Sequence, residues 1–162
     1  MKKVIALCFC FLLLLCGCKA KTANIESEGF SCKAVARFGN NTYHLFLQIP
    51  GGGIIKAEVT EGEMKGLTLT LDGEDVSVRF LGMEYKLPDG FFGENCLTAI
   101  KEVLETLKRD GQQVKMDSNR SITLDTDFGL AKITVRPDGF PTKIVLFDED
   151  AEITFSDFNY IS

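Results

Sequence analysis

Alternating apolar and polar residues over most of the chain predict a mainly β protein of the α+β class. The segments Ile55–Val59, Leu67–Leu71 and Val76–Phe80 each place apolar side chains on one face and polar side chains on the other. A period of two with one polar face is typical of an antiparallel sheet packed on one side only. Only one segment, Asn95–Arg109, has helical spacing instead. We therefore expect an antiparallel sheet of about ten strands with one amphipathic helix on its concave face.

Turn residues separate the alternating segments and predict sequential hairpins. They place about six strands before the helix and about four after it. The turns lie at Gly39–Asn41, Pro50–Gly53, Asp72–Gly73, Pro137–Gly139 and Asp148–Asp150.

The helical segment has an apolar face that needs a partner surface. Leu97, Ile100, Val103, Leu104 and Leu107 recur at the spacing of one helical face, and Lys101, Glu102, Glu105 and Lys108 occupy the opposite face. Asn95 suits the N-cap and Gly111 suits the C-terminal stop. The apolar faces of the strands are the expected partner of this helix.

The first residues of the chain resemble the signal of a bacterial lipoprotein. Two lysines precede an uncharged apolar run, Val4–Leu15, which as a helix would extend only about 18 Å against a hydrocarbon core of roughly 30 Å. The following Leu15-Cys16-Gly17-Cys18 resembles a lipobox. That resemblance implies cleavage between Gly17 and Cys18 and lipid attachment at Cys18, including acyl chains such as palmitate. The alternative is an ordinary secretory signal that happens to be rich in cysteine.

The expected organisation is a signal peptide (1–17), a lipidated cysteine with a flexible tether (18–29) and one folded domain (30–162). The mature chain of 145 residues then carries 16 basic and 23 acidic side chains, a net charge of −7. This acidic balance counts against nucleic acid as a partner. We expect the protein on the extracytoplasmic face of the cell membrane, held there by its acyl chains.

Two cysteines remain in the mature domain, Cys32 and Cys96. Outside the cytoplasm they can form one disulfide. They can equally be two buried thiols, because a free cysteine behaves as a small apolar residue. The sequence leaves both alternatives open.

The sequence resembles the LolA-like lipoprotein group in three features: the strand segment Gly66–Leu69, the single helix and the closing Asp138–Ile144 hairpin. The likeness covers most of 30–161 and rests on pattern and element order. It implies an unclosed β half-barrel whose concave face is covered by helix. Members include lipoprotein carriers, envelope lipid-binding lipoproteins and germination lipoproteins. This chain differs from the lipoprotein carriers in two ways: it has a predicted membrane anchor, and it lacks a basic exit patch.

No constellation for catalysis, a metal or a cofactor is apparent in the sequence. His44 is the only histidine and falls out of phase with the apolar residues of its strand. The acidic clusters at Asp72–Asp75, Asp125–Asp127 and Asp148–Asp150 lack the spacing of a calcium loop and suit solvated turns. We therefore expect a protein that is not an enzyme and has no cofactor.

The apolar concave face is the remaining candidate site, either as a filled core or as a pocket for an apolar ligand. The predicted function is a membrane-anchored binding module for an apolar or lipid-like ligand. The alternative is an assembly lipoprotein of the cell envelope, including the germination type, that contacts a protein partner or a second copy through its sheet edges. The candidate ligand-binding residues are Leu45, Leu47, Ile49, Leu67, Leu69, Phe80, Leu97, Ile100 and Leu104, with Leu71 and Val78 beside them.

Overall fold

The computed structural model describes residues 29–88, 96–110 and 116–161. The predicted signal peptide, Cys18 and most of the tether lie outside these residues, as do Asn95 and Gly111. No helix within the described ranges is long and apolar enough to cross a membrane. The elements are β1 (Phe30–Phe38), β2 (Asn41–Gly51), β3 (Ile54–Val59), β4 (Thr68–Asp72), β5 (Asp75–Phe80), β6 (Met83–Lys86), α1 (Cys96–Asp110), β7 (Ser121–Thr126), β8 (Gly129–Val135), β9 (Pro141–Leu146) and β10 (Ala151–Tyr160).

The ten strands form one antiparallel sheet in the order β6-β5-β4-β3-β2-β1-β10-β9-β8-β7. The first and last strands lie side by side at its centre, and β6 and β7 are its two edges. Because β6 and β7 are not paired with each other, the sheet stays open. The chain passes from one edge to the other through α1, which contacts both β7 and β3. The predicted fold class is confirmed: six strands, one helix, then four strands.

The core lies between the sheet and the helix. At its centre Leu47 of β2 is fully buried, with Cys32 of β1 and Ala57 of β3 as its partners in register. These small neighbours leave room on the concave side for the apolar face of the helix. All the described residues of the core lie between Phe30 and Phe155. The piece 22–162 therefore contains every core residue that the structure describes.

The predicted apolar face of α1 is buried throughout, with Leu97, Ile100, Val103, Leu104 and Leu107 no more than 6% exposed. On its polar side, the Lys101 ammonium donates a hydrogen bond to the Gly73 carbonyl in the β4–β5 turn. The same ammonium lies 3.8 Å from the Glu105 carboxylate. The helix is thus held by its apolar face and by the polar contact between Lys101 and Gly73.

A β-bulge near the end of β10 turns the side chain of Phe158 inward. Between Ser31 and Lys33 the pairing of β1 with β10 shifts by one residue, and Asp157 adopts a positive φ of 54°. The extra residue reverses the alternation, so Phe158 follows Phe155 onto the concave side. Phe158 then lies 5.8 Å from Phe30, measured between ring centroids. An aromatic cluster closes this end of the sheet, formed by Phe30, Phe140, Phe158 and Tyr160.

Candidate functional site

A cavity of about 660 Å³ opens between the sheet and the start of α1. It lies at the end of the sheet where β1 finishes, β2 begins and β3 passes into β4. Its walls combine apolar side chains with a polar rim: Phe38, Thr42, Tyr43, Leu45, Val59, Glu61, Gly62, Glu63, Met64, Leu67, Leu69, Cys96 and Leu97.

The β3–β4 connection shapes the mouth of this cavity. Backbone hydrogen bonds from Thr60 to the His44 carbonyl (2.8 Å) and from Gly66 to the Val59 carbonyl (2.8 Å) close the base of the connection. Gly66 has a φ of +85°, a conformation that glycine adopts without a steric penalty. The residues between these bonds are exposed and carry Glu61, Glu63 and Met64 past the end of the sheet. A longer connection here, in place of a two-residue turn, leaves the space beside the start of the helix.

The structure divides the predicted concave face into two parts. Leu45, Leu67, Leu69 and Leu97 line the cavity. The deeper residues pack in the core and are no more than 6% exposed: Leu47, Ile49, Leu71, Ile100 and Leu104. Phe80 and Val78 are half-buried on β5, outside the lining of the cavity. One end of the concave face is therefore a pocket, and the middle is filled core.

Several lining residues were not among the sequence candidates, namely Phe38, Tyr43, Val59, Met64 and Cys96. Phe38 and Tyr43 share the inward phase of their strands, so their alternation carried a usable signal. Met64 lies in a loop, where no periodicity indicates direction. Its position follows only from the path of the β3–β4 connection.

Both remaining cysteines are free thiols in the structure. Burial raises the pKa of Cys32 from 9.0 to about 12. Burial likewise raises the pKa of Cys96 to about 11, opposed by smaller contributions from the backbone N–H groups of Cys96 and Leu97. Cys96 lies in the cavity wall as a neutral thiol at neutral pH, which makes it a poor nucleophile.

His44 lies on the outer face of β2, where its Nε2 atom is 3.8 Å from Glu61 Oε2. Both side chains are substantially exposed. Within the described residues, no group of three or more His, Cys, Asp and Glu side chains could hold a metal ion. Glu61 therefore brings charge to the rim of the cavity.

Two smaller clefts lie on polar surfaces. One of about 290 Å³ on the outer face of β3–β6 is lined by Lys56, Thr68, Thr70, Ser77, Arg79 and Glu84. The other, of about 220 Å³, lies beside the β9–β10 turn and includes Arg37 and Glu152. Neither offers the apolar walls of the large cavity. An apolar ligand therefore has one suitable place among these three.

No family model and no curated protein match this chain. Among solved structures, an uncharacterised conserved protein of Thermus thermophilus is similar with a TM-score of 0.51 and 13% identity, over 84% of this chain and 80% of that one. At this identity the likeness bears on the fold alone. A LolA superfamily protein of Nitrosomonas europaea aligns over 89% of this chain and 91% of its own, with 10% identity and a TM-score of 0.41. The open ten-stranded sheet with one helix is itself the half-barrel that the sequence resemblance implied.

Proposed function

We propose that the protein is a membrane-anchored extracytoplasmic lipoprotein that binds an apolar or lipid-like ligand, without catalysis, in the cavity at the end of its half-barrel. The observation that supports this most is the cavity itself. Its size of about 660 Å³ falls within the roughly 300–1,000 Å³ of small-molecule sites. Its walls are mainly apolar, with a few polar groups at the mouth, as is usual for such sites.

Apolar contact provides enough free energy for binding. Each methylene removed from water contributes about 0.8 kcal/mol, so a chain of roughly ten methylenes gains about 8 kcal/mol before the entropic cost of immobilisation. Leu67 and Leu69 are only half-buried in the structure and have surface left to cover. Leu47 and Ile100 have none left to cover. We therefore place the ligand at the mouth and not in the centre of the sheet.

The cavity lies at the opposite end of the sheet from the predicted anchor. Phe38 borders the cavity, whereas the tether joins the sheet at Phe30. Eight residues of extended strand separate these two ends, or about 27 Å. The mouth of the cavity is therefore clear of the point where the tether joins the sheet. This placement favours exchange of ligand with the aqueous side or with a partner protein.

Binding is tested on purified residues 22–162 with an apolar fluorescent dye, N-phenyl-1-naphthylamine. Leu69→Asp places a charge in the cavity wall, and we expect it to weaken dye binding at least tenfold. Phe80→Asp is the matched control, because Phe80 is equally half-buried on the concave face but does not line the cavity. Urea denaturation checks that both variants are folded. Equal dye affinity in the two variants would refute the assignment to this cavity.

Anchoring is tested separately in the full chain. Cys18→Ala removes the sulfur to which the lipid is attached, so the protein should leave the membrane fraction. Metabolic labelling with palmitate should disappear in the same variant. Retention of the variant on the membrane would show that the lipobox assignment is wrong.

Assembly with a second copy is the alternative function, and edge strand β6 gives it specific support. Leu81, Met83 and Tyr85 are 80%, 50% and 59% exposed on or beside this strand. Apolar residues at an open sheet edge favour strand addition. Light scattering after size-exclusion chromatography tests this: a dimer that dissociates in Met83→Lys supports assembly, and a monomer at all concentrations refutes it.

A further inference from the structure

The charges at the mouth of the cavity are all of one sign. Glu61 and Glu63 lie in the β3–β4 connection and contribute two carboxylates to the lining. Thr42 and Tyr43 contribute hydroxyl groups. Within the described part of the chain, no Lys, Arg or His side chain lines the cavity. An anionic group entering this mouth would therefore meet carboxylates and no cation.

Neighbouring cations do not cancel this charge. His44 is 3.8 Å from Glu61, so its protonated form balances at most that one carboxylate and leaves Glu63. Lys65 belongs to the same connection but is exposed and outside the lining. On the helix, the Lys101 ammonium contacts the Gly73 carbonyl and Glu105, away from the cavity. Among the described residues of β2, the β3–β4 connection and α1, these cations leave the mouth with a net negative charge.

The start of α1 is the one feature that would favour an anion, because the first N–H groups of a helix attract negative charge. Cys96 and Leu97 bring this helix start to the cavity wall. However, the backbone N–H groups of Cys96 and Leu97 already contact the Cys96 sulfur. The two carboxylates at the mouth therefore outweigh the partial positive charge of the helix start.

We propose that the cavity selects a single aliphatic chain that ends in an ammonium group, with the chain against Leu67, Leu69 and Leu97 and the ammonium beside Glu61 and Glu63. This inference rests on the proposed function and specifies its ligand. The apolar wall supplies most of the affinity. The carboxylates supply the selection between head groups, because like charges at an exposed rim repel and opposite charges attract.

Three ligands with the same chain length separate the effect of the head group from that of the chain. Dodecylamine, 1-dodecanol and dodecanoate each displace N-phenyl-1-naphthylamine from residues 22–162 at pH 7.4 and low salt, below their micelle concentrations. We expect dodecylamine to bind most tightly and to exceed dodecanoate by at least about fivefold, the effect of one or two exposed ion pairs. Because salt screens exposed charges, the preference should shrink in 0.5 M sodium chloride.

Charge-removing variants locate the selecting groups. The double variant Glu61→Gln/Glu63→Gln should reduce the ratio of dodecylamine to dodecanoate affinity to about twofold or less. Its affinity for 1-dodecanol should stay unchanged. Glu58→Gln is the matched control, because Glu58 is exposed on the outer face of β3 and does not line the cavity. It should preserve the full preference.

Each outcome bears on a different claim. Equal binding of the three ligands, or preference for dodecanoate, would overturn the ammonium assignment and leave apolar binding intact. A preference that persists in the double variant would overturn the role of Glu61 and Glu63. Failure of the dye and all three ligands to bind would instead overturn the proposed function.

Discussion

Truncating two leucines on the same face of the sheet should give very different losses of stability. Leu47 is fully buried, and its partners in register, Cys32 and Ala57, are too small to fill the space that Leu47→Ala would leave. We expect this change to lower the free energy of unfolding by about 3–5 kcal/mol, the upper part of the range for buried leucines. Leu67 is half-buried and already borders a cavity of about 660 Å³. Leu67→Ala should therefore cost only about 1–2 kcal/mol.

Urea denaturation of residues 22–162, followed by far-ultraviolet circular dichroism, measures both losses. The slope of the free energy of unfolding against urea concentration should be the same in the two variants. The difference between their urea midpoints then reports the difference in stability directly. Ligand affinity should change in the opposite order. Leu67→Ala weakens binding of an aliphatic ligand, whereas folded Leu47→Ala retains it. Equal losses of stability would refute the reasoning, because they would mean that Leu67 packs in a filled core.

Three further predictions concern other parts of the fold. The raised pKa values of Cys32 and Cys96 (about 12 and about 11) mean that the native state holds thiol protons that the unfolded state releases near pH 9. The contribution of these thiols to stability should thus be constant below pH 9 and fall as the pH rises toward 11–12, measured as the urea midpoint; an unchanged midpoint between pH 9 and pH 10.5 would contradict this. Asp157→Val should cost about 1–2 kcal/mol because its φ is positive, whereas Asp157→Asn should stay within about 0.5 kcal/mol; equal costs in thermal unfolding would exclude backbone strain as the cause. Gly129→Ala should cost about 1–3 kcal/mol, since its Cβ would overlap the Asp148 carboxylate at a φ of +79°. Adding Asp148→Ala should recover only the part due to overlap, and full recovery would show that φ contributes nothing.

Sequence alternation predicted most of this fold because burial on one side of a sheet imposes a period of two on every strand. Ile55–Val59 and Val76–Phe80 both lie in strands, and the apolar face of the 95–109 segment is buried against the sheet. Pro50 was assigned to a turn, but β2 continues through it to Gly51. The bulge at Asp157 was not predicted, although the change of phase between Phe155 and Phe158 in the sequence is the signal that an extra residue leaves.

The candidate site was predictable only in outline. Alternation identifies which residues face inward, and it does so for Leu45 and Leu47 alike. Whether the space in front of an inward-facing residue is filled depends on where the helix crosses the sheet. The sequence pattern of the strand and that of the helix do not specify this crossing. Leu47 is fully buried in the core, whereas Leu45 borders the cavity together with the start of the helix and the β3–β4 connection. The polar rim with Glu61 and Glu63 follows from the path of that connection.

The most direct test of ligand binding in the cavity is methyl-resolved NMR of residues 22–162 during titration with dodecylamine. The leucine methyl signals of the cavity wall, those of Leu45, Leu67, Leu69 and Leu97, should shift and show contacts to the ligand chain. The methyl signals of Leu124 and Leu146, which are buried in the core and lie outside the cavity lining, should stay unchanged. Shifts confined to the exposed residues of β6, or no shifts at all, would contradict a ligand site in the cavity.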